Sequence, residues 1–165
     1  MYNFTTSKNW NDMDYPIGEY YCKLDAKGRL LLPSGFKEQL GEALEAGFVL
    51  RPGLFEKCLD VYGMDDWRKL QDKLGKLNPF KKENLMMMRR INGGARVVMM
   101  DGSGRLQIPK DLVEKCGMVK EVVITSLPDR MQIWGKEQMD KSNAEMTDAE
   151  FSQLLEDRLG NIDFD

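Results

Sequence analysis

Two arginines occupy the same place in a frame that the chain carries twice. DAKGRLLLP runs from Asp25 to Pro33 and DGSGRLQIP from Asp101 to Pro109, both of the form D-x-x-G-R-L-x-(L/I)-P. A turn that only reverses the chain needs glycine and sometimes aspartate, but has no use for an arginine at one fixed offset. Arginine presents a planar fork of donors suited to phosphate oxygens or to the O6/N7 edge of guanine. Standing out of a β scaffold just after a glycine turn, two such forks at fixed separation suit a periodic anionic target such as duplex DNA. Lys27 adds a phosphate contact in the first loop, and Ser103 at the matching place supplies a hydroxyl. The candidate DNA-binding residues are therefore Lys27, Arg29, Ser103 and Arg105, with Asp25, Gly28, Asp101 and Gly104 orienting the loops. Alternatively, Arg29 and Arg105 pair with Asp25 and Asp101 and merely brace the turns. Both roles can hold together, since a carboxylate can aim the guanidinium that reads DNA.

Other chemistries find little support. The chain has no histidine, which removes Cys/His zinc sites and histidine-based acid–base catalysis. It carries no P-loop, no G-x-S-x-G and no H-E-x-x-H. Asp25 and Asp101 could form a catalytic carboxylate pair if the repeats met about a twofold axis. An arginine four residues from each would lower its pKa and spoil it as an acid at neutral pH. The DGSG stretch lacks the later oxygen ligands of a calcium loop. No enzyme activity, metal or cofactor is expected.

Composition sets the class. With 165 residues the chain is one medium domain or two small units sharing a core. No apolar stretch reaches the length of a membrane span, and the first residues lack the apolar core of a secretory signal. Three cysteines (Cys22, Cys58, Cys116) without a C-x-x-C fit reduced thiols used as small apolar groups, and a cytoplasmic protein. Net charge is −3, yet residues 68–93 hold eight Lys/Arg against two acids, and residues 141–165 hold two against seven. An acidic whole can hide a basic face, because local field governs docking more than the sum does.

The elements that must position the arginines can be read from the repeat itself. Gly18–Gly41 aligned on Gly94–Gly117 gives eight identities in 24 positions, where random pairing gives roughly one or two. EYYCKL and ARVVMM predict strands ending at the aspartates, RLLL and RLQI resume extended chain, and Pro33 and Pro109 end pairing and preset a helix. Short helices (SGFKEQL, KDLVEKC) should close at Gly41 and Gly117, with Asp111 and Glu114 resembling a capping box. Strand pairs follow at Phe48–Arg51 with Cys58–Tyr62 and at Glu121–Thr125 with Met131–Trp134. Between the repeats, Trp67, Leu70, Leu74 and Leu77 predict a helix from Asp65 or Asp66 to Pro79, and a second covers about Lys82–Ile91. Met86–Met88 read as adaptable core or interface filling. Phe151, Leu154, Leu155 and Leu159 make a narrow apolar stripe on an acidic helix, Thr147–Leu159.

The doubled frame, with strands before and after it, resembles the SpoVT–AbrB swapped-hairpin DNA-binding domain. Its tandem use, joined by LFEKCLDVYGMDDWRKLQDKLGKLNPF, is similar to the MraZ family of bacterial transcriptional regulators along about residues 18–140. This resemblance implies a mainly β fold with short helices: a tandem AbrB-type swapped-hairpin (double-split) β-barrel formed by the two internal repeats. It also implies a regulator of the division and cell-wall operon that binds promoter direct repeats as a ring-shaped homo-oligomer, with its D-x-x-x-R motif at Asp25–Arg29 and Asp101–Arg105. The organisation expected is an N-terminal extension (1–17), repeat 1 (18–66), a basic helical linker (67–93), repeat 2 (94–140) and an acidic tail (141–165). The extension and the tail are poorly covered by the family pattern. The function expected is sequence-preferring binding of double-stranded DNA, repressive by that resemblance, in a cytoplasmic, nucleoid-associated protein. The rival is an antitoxin-like or scaffold module that binds a protein through the acidic tail.

Overall fold

Each repeat begins with a strand that stops at its aspartate. In the computed structural model, which describes residues 15–160, β1 spans Glu19–Lys23 and β2 Arg29–Leu31. Pro33 then opens α1 (Ser34–Leu40) with φ −57°, the value its ring imposes. A short α2 (Ala43–Ala46) leads into β3 (Phe48–Pro52) and β4 (Leu59–Gly63). The linker folds as α3 (Met64–Gly75) and α4 (Lys82–Gly93). The second repeat follows the same order: β5 (Arg96–Val98), β6 (Arg105–Gln107), α5 (Lys110–Lys115), β7 (Glu121–Ser126) and β8 (Met131–Gly135). Two helices, α6 (Lys136–Ala144) and α7 (Asp148–Leu159), complete the described chain.

The repeats are interlaced. The six-stranded antiparallel sheet has the order β1-β7-β8-β4-β3-β5, so each repeat's first strand pairs with the other repeat's third. β4 pairs with β8, and β2 pairs with β6 in a separate two-stranded ladder. Exchanging β1 with β5, β2 with β6, β3 with β7 and β4 with β8 reproduces every one of these pairings, which is a pseudo-twofold arrangement. The registers agree: Leu30 faces Leu106 at the centre of the β2–β6 ladder, and Asp60 faces Gln132 at the centre of β4–β8.

Strand alternation explains the core. Leu30 and Leu106 turn inward from the short ladder and join Phe36, Leu50, Leu59, Ile108, Ile124 and Ile133 in one buried cluster drawn from both repeats. Burying each such side chain contributes about 1.5–3 kcal/mol, and neither repeat alone supplies both sides of the cluster. A buried ion pair joins β3 to β4. Arg51 lies 3.7 Å from Asp60 and donates through Nε to the Ile91 carbonyl at 3.0 Å, fastening α4 to β3. Removing Asp60 leaves Arg51 uncompensated, a loss that typically costs about 3–5 kcal/mol, whereas Asp60 keeps Arg130 at 3.6 Å and the Gln132 amide if Arg51 is lost.

Several expectations are corrected. The barrel does not close: the sheet is open, with β1 and β5 at its edges, and β2–β6 is tied to them by the single bridges Leu24–Leu30 and Met100–Leu106. The reason is local, because the turn before β2 or β6 and the proline after it leave three residues for pairing. Asp111 and Glu114 form no capping box on α5; the Asp111 carboxylate instead binds Arg96 at 2.6 Å. The first linker helix ends at Gly75, before Pro79. Met86 and Met87 lie exposed on α4, so of the two roles read for Met86–Met88 the core one does not apply to them. Phe151, Leu154, Leu155 and Leu159 are likewise exposed on α7, whose own capping box is Thr147 with Glu150. All three cysteines are free and buried, with burial pushing the Cys22 and Cys116 thiols up to about 11. Of the expected N-terminal extension, residues 1–14 lie outside the described residues, as do 161–165 of the tail. Among the described residues no helix is long and apolar enough to cross a membrane.

Candidate nucleic-acid interface

The two D-x-x-G-R turns have nearly the same geometry. In the first loop, Asp25 Oδ1 accepts from the backbone N–H groups of Lys27 and Arg29, each at 2.9 Å, and Oδ2 accepts from Arg29 Nε at 2.7 Å. In the second, Asp101 Oδ1 accepts from Ser103 at 2.8 Å and Arg105 at 2.9 Å, and Oδ2 accepts from Arg105 Nε at 3.0 Å. Main-chain bonds close each turn: Asp25 N–H to the Arg29 carbonyl at 3.0 Å, and Asp101 N–H to the Arg105 carbonyl at 2.9 Å. The glycines make the reversal possible, with φ of 77° at Gly28 and 76° at Gly104, a region that Cβ-bearing residues avoid.

One aspartate therefore does two jobs in each loop. It replaces the backbone partners that the turn lacks, and it grips one edge of the guanidinium. These bonds hold both carboxyls below the ordinary aspartate range. The Arg29 backbone N–H is the largest cause at Asp25, and the Arg105 backbone N–H at Asp101. An acid kept ionised in this way is unsuited to proton donation, which disfavours the paired-carboxylate chemistry. Bracing does not consume the arginines. Each carboxylate takes Nε, and the terminal guanidinium nitrogens have no hydrogen-bond partner among the described residues. The side chains remain about a third exposed, at 29% for Arg29 and 32% for Arg105.

The β2–β6 ladder puts both arginines on one surface. Arg29 stands opposite Gln107, and Leu31 opposite Arg105. With Leu30 and Leu106 directed into the core, alternation sends Arg29, Leu31, Arg105 and Gln107 to the outer face. The arginines are diagonal neighbours there, a relation that places residues roughly 7–8 Å apart in antiparallel pairs, with Cβ atoms somewhat closer. A two-stranded ribbon of this kind is narrow enough to enter the major groove of B-form DNA.

The eight residues read from the sequence thus come together as two adjoining loops on one ribbon. Lys27 and Ser103 are exposed at the turn tips. Three further residues were not anticipated. Gln107 Nε2 donates to the Lys27 carbonyl at 2.7 Å, so the second repeat clamps the first loop. Leu31, 58% exposed, lies between the arginines on the outer face. Lys37 of α1 lies against Gly104 in the other repeat's loop. The offset that aligns the repeats already marks Gln107 as the mate of Leu31, and Lys37 as the mate of Val113. Only the strand exchange converts those mismatches into contacts.

The basic linker is separate from this ribbon in sequence and mostly unneutralised. Arg68 and Lys69 approach Asp65 and Asp66, whereas Lys73, Lys76, Lys81, Lys82, Arg89 and Arg90 have no carboxylate within ion-pair distance among the described residues. No cluster of acidic or cysteine side chains suited to a metal ion occurs among the described residues.

Comparison with known proteins finds the family described as "MraZ protein, putative antitoxin-like" matched twice, over residues 17–90 and 91–162. The "Transcriptional regulator MraZ" of Christiangramia forsetii is 42% identical over 149 residues, covering 90% of this chain and 96% of the relative. The protein of the same name from Flavobacterium psychrophilum is 38% identical over 153 residues, covering 93% and 97%. That of Alkaliphilus metalliredigens is 37% identical over 145 residues, covering 88% and 94%.

Proposed function

The chain belongs to the MraZ family, and on that premise we propose that it is a transcriptional regulator that binds double-stranded DNA through the β2–β6 ribbon. One observation carries the reading: Arg29 and Arg105 share the ribbon's outer face, each aimed by its own aspartate and each with its terminal nitrogens unpartnered among the described residues. A guanidinium held on one edge has fewer rotamers to lose on meeting phosphate or guanine, so more of the contact is retained as affinity. Lys27 and Ser103 contact the backbone from the turn tips, and Asp25, Gly28, Asp101 and Gly104 keep the loops in shape. No catalytic step and no cofactor belongs to this function.

The assembly proposed is a ring-shaped homo-oligomer on promoter direct repeats, repressing the division and cell-wall operon that includes its own gene, in the nucleoid of the cytoplasm. In such a ring, weak loops on several chains act at high effective concentration on one DNA segment. The exchanged β1–β7 and β3–β5 pairs suit a swapped-hairpin unit of the SpoVT–AbrB kind formed within one chain. Its parts are the extension (1–17), repeat 1 (18–66), the linker (67–93), repeat 2 (94–140) and the tail (141–165).

Fluorescence anisotropy with the duplex upstream of the gene and a scrambled control tests the reading. Preferential binding that weakens with salt, as counterion release demands, is the expected result. Equal binding to both duplexes, or a flat salt response, would remove it. One feature favours a second function, protein binding of the antitoxin-like or scaffold type: the uncovered stripe of Phe151, Leu154, Leu155 and Leu159 on α7. A stoichiometric partner lost on deleting α7, with DNA binding intact, would establish that role.

A further inference from the structure

We infer that the second loop's phosphate site is completed across the repeats, with Lys37 of α1 supplying the positive charge that Ser103 does not. The inference rests on the DNA-binding reading above. A Cβ placed on Gly104 would lie 2.7 Å from Lys37 Nζ and 3.6 Å from its Cδ, so the ammonium occupies the space beside the turn glycine. Around the first loop the arrangement is reversed. There the matching neighbour of Gly28 is Val113, whose Cγ2 would be 3.9 Å from such a Cβ, and the charge comes from Lys27 within the loop.

The two differences compensate. At the tip position the pair is Lys27 and Ser103; at the helix position it is Lys37 and Val113. Each D-x-x-G-R loop therefore has one lysine against it, taken once from the loop itself and once from the other repeat's helix. Neither Lys27 nor Lys37 has a carboxylate within ion-pair distance among the described residues, and Lys37 is half-buried, its stem lying along the loop. An ammonium beside the turn glycine, next in sequence to an arginine with unpartnered terminal nitrogens, supplies a second positive group for a backbone phosphate. The ligand class is the phosphodiester of duplex DNA.

Lys37→Met tests this, because methionine keeps an apolar stem while removing the charge. Anisotropy titrations on the upstream duplex at several salt concentrations should show about 5–10-fold weaker binding, with a salt slope lower by about one unit for each engaged chain. Lys37→Arg should keep wild-type affinity. Adding Ser103→Lys to Lys37→Met returns a charge to the same loop and should restore both affinity and slope. If the wild type binds and loses affinity on Arg29→Ala, yet Lys37→Met binds with unchanged slope, the inference fails and the function stands. If Lys37→Met lowers the melting temperature and Ser103→Lys rescues nothing, Lys37 is a packing residue and the inference is equally overturned. Absence of wild-type binding removes the function itself.

Discussion

The two D-x-x-G-R loops are built on the same turn but held by different means. The matching aspartate–arginine and aspartate–backbone hydrogen bonds of the two loops differ in length by no more than 0.3 Å. Around them the sequence has drifted. The first loop carries its own lysine and is clamped by the Gln107 amide, which donates to the Lys27 carbonyl. At the second loop the residue in Gln107's place is Leu31, which cannot donate, and the lysine arrives from α1. What duplication preserved is the part that aims an arginine. Support for the aim has been redistributed between repeats, which is possible only because the strands are exchanged.

The largest expected effect tests whether the loops are functionally equal. Arg29→Ala and Arg105→Ala should each cost about 1–3 kcal/mol of DNA binding, roughly 5- to 150-fold. Arg29→Ala should be the more damaging, since it removes the fork from the clamped loop. Circular dichroism and oligomer size should not change. Unfolding of either variant would mean that its arginine serves chiefly as a brace.

Glycine substitutions come next. Gly28→Ala puts a Cβ 3.0 Å from the Ile108 backbone carbonyl at φ 77°, whereas at Gly104 the obstacle is the movable end of Lys37. Left-handed backbone alone costs a Cβ-bearing residue roughly 1–2 kcal/mol. Gly28→Ala should therefore exceed Gly104→Ala in chemical denaturation. Equal losses would contradict the difference in clamping.

Gln107→Leu puts at the first loop the residue type that Leu31 presents to the second, removing the clamp. Loss of the amide bonds to Lys27 and Ile108 should cost about 0.5–1.5 kcal/mol and raise amide exchange in residues 25–29 to the level of 101–105. Unchanged exchange would show that the clamp does not restrain the loop.

The smallest effect is a pH response that should be absent. Both carboxyls are held below the ordinary aspartate value of about 3.9, so their contribution is complete above that pH. It is lost only as pH falls through the depressed folded values. With no histidine in the chain, binding and loop stability should be flat from pH 6 to 8. A titration in that window would require an ionisable group elsewhere in the interface.

Much of the site was legible in the sequence because it is local. Asp25 and Arg29 lie four residues apart, and their turn chemistry follows from residue types alone. Strands and short helices were legible for the same reason, through alternation, proline and glycine. What sequence could not reveal depends on register between repeats. Gln107 meets Lys27 across 80 positions, and Lys37 meets Gly104 only because β2 pairs with β6. A closed barrel does not form because three-residue strands cannot sustain a continuous ladder, and the capping box does not form because Arg96 draws Asp111 away from the helix end. The methionines Met86 and Met87 of α4 and the stripe of α7 have helical spacing yet are exposed among the described residues, and spacing alone does not distinguish a covered face from an open one.

Both loops of one chain should act as a single DNA-binding face. Hydrogen–deuterium exchange of the full chain with and without the upstream duplex tests it directly. DNA should protect residues 25–31 and 101–107 together, with α7 unchanged. Protection confined to one loop, or to α7, would contradict it.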